Sequence, residues 1–475
     1  MGSLVRRLVS VDRMVTPENV RGALPSSKEA YRELVKIAGP SVVEMVFMAL
    51  IGSIDTVMVG SLGYEAIAAV GLTGQPRMLL LAIFFALNVG VTAIVARRKG
   101  QDLPEEANRT LRNALVLILG IVALVMSAAL IWSVPLLRFA GAQEDTLAMA
   151  NTYFRILAWF LPINALTLCI SAAQRGVGNT KITMYVNITA NLVNVVFNYL
   201  LIGGNFGFPA LGVAGAAYAT GIGFCVGFLL CLVPLFRPKA SAYLRFSRRD
   251  NWRLHRKTLG AIVRVGGNAM VEQIGLRVGF FTYAAIVAGL GTEAFAAHQV
   301  GMQFLNISFT FGDGLAIAGT ALVGQMLGRE RPDLAVIYAK CSQRLALGVS
   351  LALATMVVLL RAPLVGIFID GSDPANAVPY ALAVSVMLMV ALFQPVQTSS
   401  VVISGCLRGA GDNLHVAAVM ILCVVIMRPA LSLLSIHVLG LGLIGAWSAS
   451  LTDMCVRLTL MYRRFLSGKW QTKKV

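Results

Sequence analysis

Residues 37–71 read IAGPSVVEMVFMALIGSIDTVMVGSLGYEAIAAVG, an apolar helix with two acids inside it and a glycine-marked turn at its end. A second copy stands at 265–299, VGGNAMVEQIGLRVGFFTYAAIVAGLGTEAFAAHQ. One shift, 272 − 44 = 228, pairs Glu44 with Glu272, Gly63 with Gly291 and Glu65 with Glu293. It continues without a gap through Thr92/Thr320, Gly100/Gly328, Pro104/Pro332 and Gly120/Gly348. A later echo returns RGVGN at 175–179 as RGAGD at 408–412, and GVAGA at 212–216 as GLIGA at 442–446. The chain is a duplication, and the acid-bearing helix opens each half.

Composition sets the solvent. Of 475 residues, 57% are hydrophobic and 13% charged, whereas soluble domains are nearer half and a quarter. Apolar runs of roughly eighteen to twenty-five residues recur along the whole chain, the length a bilayer-spanning helix needs. The short alternating strands of a membrane barrel do not appear. The net charge of +18 sits in short Lys/Arg clusters between apolar runs, which marks topology and not a nucleic-acid surface. The seven Cys form no CxxC pair and the four His lack zinc-ligand spacing, so packing cysteines and no metal site are expected.

The expected fold is an all-α integral membrane protein with twelve transmembrane helices, from 35–60 to 441–463, in two parallel-repeat six-helix bundles. The ranges are a cytoplasmic N-terminal segment 1–33, an N-terminal lobe 34–236, a basic linker 237–260, a C-terminal lobe 261–464 and a tail 465–475. Arg97-Arg98-Lys99, Arg175, the linker and Arg463-Arg464 fall on the same side of the alternation, so both termini are expected in the cytoplasm. Parallel repeats of this kind place substrate sites between the halves.

Charge inside hydrocarbon is costly, about 2.5–3.5 kcal/mol per residue on insertion scales, so each intramembrane acid invites a functional reading. Glu44 and Asp55 are eleven residues apart, which puts them on one face of the first helix and roughly 16 Å apart. On the fifth helix Asn187, Asn191, Asn194 and Asn198 form a single stripe. An acid facing such amides is expected to serve as a proton or cation site, with Asp55, Asn191, Asn194 and Asn198 as the ion-coupling set and Na⁺ at Asp55/Asn194 as one form of it. The alternative for the stripe is helix–helix adhesion through polar side chains. Glu44, Glu272, Asp313, Arg277 and Gln397 are the expected substrate or gate residues, with Glu44 and Glu272 facing each other across the internal axis. Asp453 and Arg457 are expected to pair at i, i+4. Asp55 has no acidic mate, because its counterpart is Tyr283. No P-loop, nucleophile elbow or pyrophosphate motif is present, which disfavours an enzyme or an ATP-driven pump.

IDTVMVGSLG at 54–63, GVAGAAYAT at 212–220, AAHQVG at 296–301, ALVGQMLG at 321–328 and LRGAGD at 407–412 resemble the multidrug and toxic compound extrusion (MATE) family, over about 30–465. The resemblance implies an inner-membrane secondary antiporter, exporting cationic amphipathic drugs or metabolites against H⁺ or Na⁺, acting as a monomer without a cofactor. Asp55 matches the family's ion-coupling aspartate and Asn194 its helix 5 asparagine, while Asn198 stands where some members carry Asp. Gln397 replaces a helix 10 aspartate of the NorM-like branch, and Glu272 lies about one turn before that branch's helix 7 glutamate. The competing readings are a lipid-linked precursor flippase, for which Arg277 and Arg428 would supply the positive charge, and a membrane-embedded enzyme.

Overall fold

The computed structural model describes residues 10–60, 62, 64–140, 144–236, 242–247, 250–369 and 377–473. Among these, twelve long helices account for nearly everything and no strand is present. In the first half they are α1 (Ser27–Gly60), α2 (Tyr64–Gly100), α3 (Pro104–Ile131), α4 (Glu144–Gly176), α5 (Thr180–Gly203) and α6 (Gly212–Phe236). The second half holds α7 (Arg256–Ala288), α8 (Thr292–Gly328), α9 (Pro332–Gly366), α10 (Ala377–Gly409), α11 (Asn413–Val438) and α12 (Gly442–Leu466). Among the described residues ten are long and apolar enough to cross a membrane, and α1 and α12 have the length to do so. The expected twelve helices are present, extended at several ends beyond the apolar runs.

The duplication is visible in the backbone. Asp102 (φ 54°) and Glu330 (φ 61°) both take the left-handed conformation, each two residues before a proline that starts the next helix. Proline suits that first position because its missing N–H would have no helical partner there. Leu103 N–H donates to the Arg98 carbonyl at 3.0 Å, and Arg331 N–H to the Met326 carbonyl at the same distance, closing the two preceding helices alike. Gly178 (φ 79°) and Gly411 (φ 89°) close α4 and α10 in the same way. The hydroxyl of Thr92 on α2 donates to the Ala172 carbonyl of α4, and that of Thr320 on α8 to the Gly405 carbonyl of α10. Gly176 and Gly409 sit beside these crossings, where a Cβ would collide with the Thr92 or Thr320 carbonyl. Pairs α2–α4, α4–α6 and α5–α6 recur as α8–α10, α10–α12 and α11–α12.

By contacts the chain divides into one unit of residues 43–270 and another of 1–42 with 271–475, so both cuts fall inside helices. The reason lies in close backbone approaches. Within the first unit, the opening turns of α7 lie on α2, with Gly90 and Gly266 leaving room for the facing chain. Within the second, the opening turns of α1 lie on α8, with Gly314 against Val42. Leu34 and Ala38 of α1 join Leu315, Leu322 and Met326 of α8 in one buried cluster that also takes in Val11 and Met14.

Candidate functional site: a two-rung ladder on α1 and α5

In the unit formed by residues 43–270, Asn187 donates to Glu44 at 2.6 Å and Asn198 donates to Asp55. Both bonds span 143 residues. A constant offset means that α1 and α5 run parallel in matched register, so each eleven-residue step brings a second acid to a second amide. The stripe therefore serves two acids at its two ends. Its middle members do other work: Asn191 donates to the Asn187 carbonyl at 2.7 Å and Asn194 to the Thr220 hydroxyl of α6 at 3.1 Å. Of the expected set, Asn198 meets Asp55 directly, while the amide nitrogen of Asn191 is engaged by its own helix and that of Asn194 by α6. An asparagine one turn below a helical carbonyl reaches it readily, which periodicity alone does not reveal.

The two rungs differ in kind. Glu44 is fully buried, and Arg175 at the end of α4 ion-pairs with it at 2.5 Å while Thr183 donates at 3.2 Å. Arginine, amide and hydroxyl together compensate the burial of this charge. Asp55 forms no ion pair among the described residues; its direct partner is the neutral Asn198. The positive charge of Arg77 on α2 reaches it through space, and the buried phenol of Tyr153 on α4 lies against Arg77 and Thr220. Arg77, Tyr153 and Thr220 were not singled out from the sequence. Arg77 interrupts an apolar run and carried a signal of its own; Tyr153 and Thr220 carry none before the helices are packed.

In the other unit Arg408 of α10 ion-pairs with the buried Glu272 of α7. Glu44 and Glu272 are repeat mates, and so are Arg175 and Arg408, so one ion pair has been kept twice. Each glutamate is held by an arginine of its own unit. Asp453 of α12 pairs with Arg428 of α11, correcting the expected Asp453–Arg457 pair. Arg457 instead points one amine at the Met420 sulfur at 3.5 Å, its charge still felt by Asp453 and Glu272. Asp313 and Arg277 are exposed on α8 and α7, and Asp313 feels the charge of Arg408. Gln397 is fully buried on α10, with neither end of its amide hydrogen-bonded among the described residues. No group of three or more metal-ligating His, Cys, Asp or Glu occurs among the described residues.

The MatE family profile matches residues 40–200 and again 269–434, one stretch in each half. The chain belongs to the MATE family. It is accordingly a multi-pass membrane transporter and not an enzyme. YisQ of Bacillus subtilis, described as an uncharacterized transporter, is 28% identical over 95% of this chain and 97% of its own. A probable multidrug resistance protein NorM of Thermotoga maritima is 27% identical over 94% of each chain, and the multidrug resistance protein PmpM of Pseudomonas aeruginosa 29% over 89% and 84%. Among solved structures, an outward-facing multidrug resistance MATE transporter of the MOP superfamily superimposes with a TM-score of 0.85 at 22% identity, over 97% of this chain and all of that one. The twelve-helix fold of the MATE transporters is thereby established for this chain.

Proposed function

We propose that this transporter is a secondary antiporter of the cell membrane, exporting cationic amphipathic drugs or metabolites in exchange for inward H⁺ or Na⁺, as a monomer with both termini cytoplasmic. The observation that carries this reading is the contrast between the two rungs. Glu44 is locked to an arginine, so binding an ion there would break an ion pair. Asp55 is held by a neutral amide, and so can take up a proton or a sodium ion while keeping its hydrogen-bonded place on α5. Arg77 stands by to stabilise the emptied carboxylate after the ion leaves. The drug-resistance names of NorM and PmpM support a drug-like substrate class. Glu44 and Glu272 serve in this scheme as pins that tie α1 to α4 and α7 to α10, and Gln397, buried without a partner, as a polar contact for substrate. Occupation of Asp55 drives the cycle only if ion and substrate prefer different conformations. A flippase for pyrophosphate lipids is less well served, because Asp453 already pairs with Arg428.

The test is efflux of a fluorescent organic cation from liposomes under a pH gradient alone and a Na⁺ gradient alone. One gradient is expected to drive efflux, and Asp55→Asn to abolish that response while Glu44→Gln affects folding more than coupling. Wild-type efflux by Asp55→Asn under the same gradient would sink the assignment.

A further inference from the structure

Tyr283, which occupies the position that Asp55 holds in the first half, opens onto a small pocket of the 271–475 unit whose chemistry is reversed. The pocket lies among α7, α8, α10, α11 and α12, with Tyr283, Arg428, Trp447 and Ser450 as its polar lining and Phe280 and Phe393 among its apolar walls. Two buried groups there have no hydrogen-bond partner among the described residues, the Trp447 indole nitrogen and the Nη2 of Arg428, and the Tyr283 hydroxyl lies with them against that of Ser450. The side chains of Tyr283, Trp447 and Arg428 are 4%, 1% and 2% exposed, so water outside the pocket does not serve them. The indole and the guanidinium can only donate, so two orphan donors line one pocket, and the phenol beside them can donate as well.

Charge points the same way. Arg408, Arg428 and Arg457 stand against two carboxylates, Glu272 and Asp453; the Oδ2 of Asp453 takes the Arg428 Nε while its Oδ1 is also unpartnered. The Arg428 guanidinium lies over the rings of Phe280 and Tyr283, at 5.2 and 5.5 Å from their centres, which fixes its plane but leaves Nη2 unsatisfied. Arg428 is followed by Pro429 and flanked by wide π-helical turns at Ile421–Met427 and Leu434–Val438. Such turns are costly and recur at functional sites. A neutral guest would satisfy hydrogen bonds without offsetting the positive charge, whereas an anion does both.

We propose that this pocket is a binding site for a small monovalent anion of halide size, held by Arg428, Tyr283 and Trp447. The free space, about 10 Å³, is at the lower limit for a single small guest, which excludes phosphate esters and organic acids and requires the lining to give slightly around a halide. The site is independent of the direction and substrate of transport.

The experiment is thermal unfolding of the purified full chain in detergent, with chloride replacing gluconate at constant ionic strength. The midpoint is expected to rise with chloride and saturate, and bromide to do the same. Tyr283→Phe and Trp447→Phe each remove one donor with little change of shape, and each should raise the half-saturating chloride roughly tenfold. Arg428→Gln should remove the response altogether; if that variant does not fold, the other two decide. Crystals grown in bromide should show anomalous scattering beside Arg428. A wild-type midpoint indifferent to chloride would mean that the pocket holds water, and an unchanged half-saturation in both phenylalanine variants would place the ion elsewhere. Either result overturns the proposal.

Discussion

In the first half, α1 presents Glu44 and Asp55 to two amides of α5; in the second, the same steps along α7 present Glu272 and Tyr283, and the matching positions of α11 are Met420 and Leu431. Of four polar contacts on the first ladder, the second half keeps the glutamate and its arginine and discards the rest. The backbone has been far more conservative. Left-handed residues before Pro104 and Pro332, threonine hydroxyls across α2–α4 and α8–α10, and glycines beside those crossings occur in both halves. What the duplication preserves is how helices end and approach each other. What it releases is the polarity of the sites between them, an acid-centred cluster at Asp55 and a donor-lined pocket at Tyr283.

The two glutamate–arginine pairs give the largest expected effect. Removing one partner of a buried pair leaves an uncompensated charge, at a cost of about 3–5 kcal/mol. Glu272 has Arg408 as its direct partner, with Arg457 acting only at a distance, whereas Glu44 would retain Thr183 and Asn187. Arg408→Gln should therefore lower the unfolding midpoint in detergent more than Arg175→Gln. Equal losses would show that the hydroxyl and amide on Glu44 contribute nothing, and would erase the asymmetry between the halves. A smaller effect is expected from Gly176→Ala and Gly409→Ala, the greater of the two at Gly409, where the facing backbone is closer. Each puts a methyl group against a backbone carbonyl of the neighbouring helix, and overpacking of this kind costs about 1–3 kcal/mol. If only one of the two is destabilising, the crossings are not equivalent.

Much of this was legible in the sequence because it is periodic. The repeat register, the twelve helices and the shared face of Glu44 and Asp55 follow from spacing, and the asparagine stripe follows from the same arithmetic. Which amide meets which acid did not follow, because it depends on the relative height of two helices 143 residues apart. The role of Arg175 was closer to the surface than it looked. RGVGN and RGAGD are one echo in the sequence and the glutamates another, but an ion pair between them needs the end of α4 to lie beside α1. Arg428 shows the opposite case. An i, i+4 rule favoured Arg457 for Asp453, and tertiary packing brought in a residue twenty-five positions away.

The smallest expected effect tests the turns themselves. Asp102 and Glu330 hold a left-handed conformation that costs an ordinary residue about 1–2 kcal/mol and glycine almost nothing. Glycine gives part of that back through the freedom it gains in the unfolded chain, roughly 0.5–1 kcal/mol. Asp102→Gly and Glu330→Gly should then each stabilise the protein by about 0.5–1 kcal/mol, read as a rise in the unfolding midpoint. Removing Asp102 also removes a charge near Tyr243, whose phenol is pushed up to about 12 by burial and then by that carboxylate. The phenol is neutral at pH 7 with or without Asp102, so this neighbour does not distort the comparison. A gain at one turn and a loss at the other would mean that one carboxylate makes a contact worth more than the strain. The turns would then be alike in backbone only, as the ladders are.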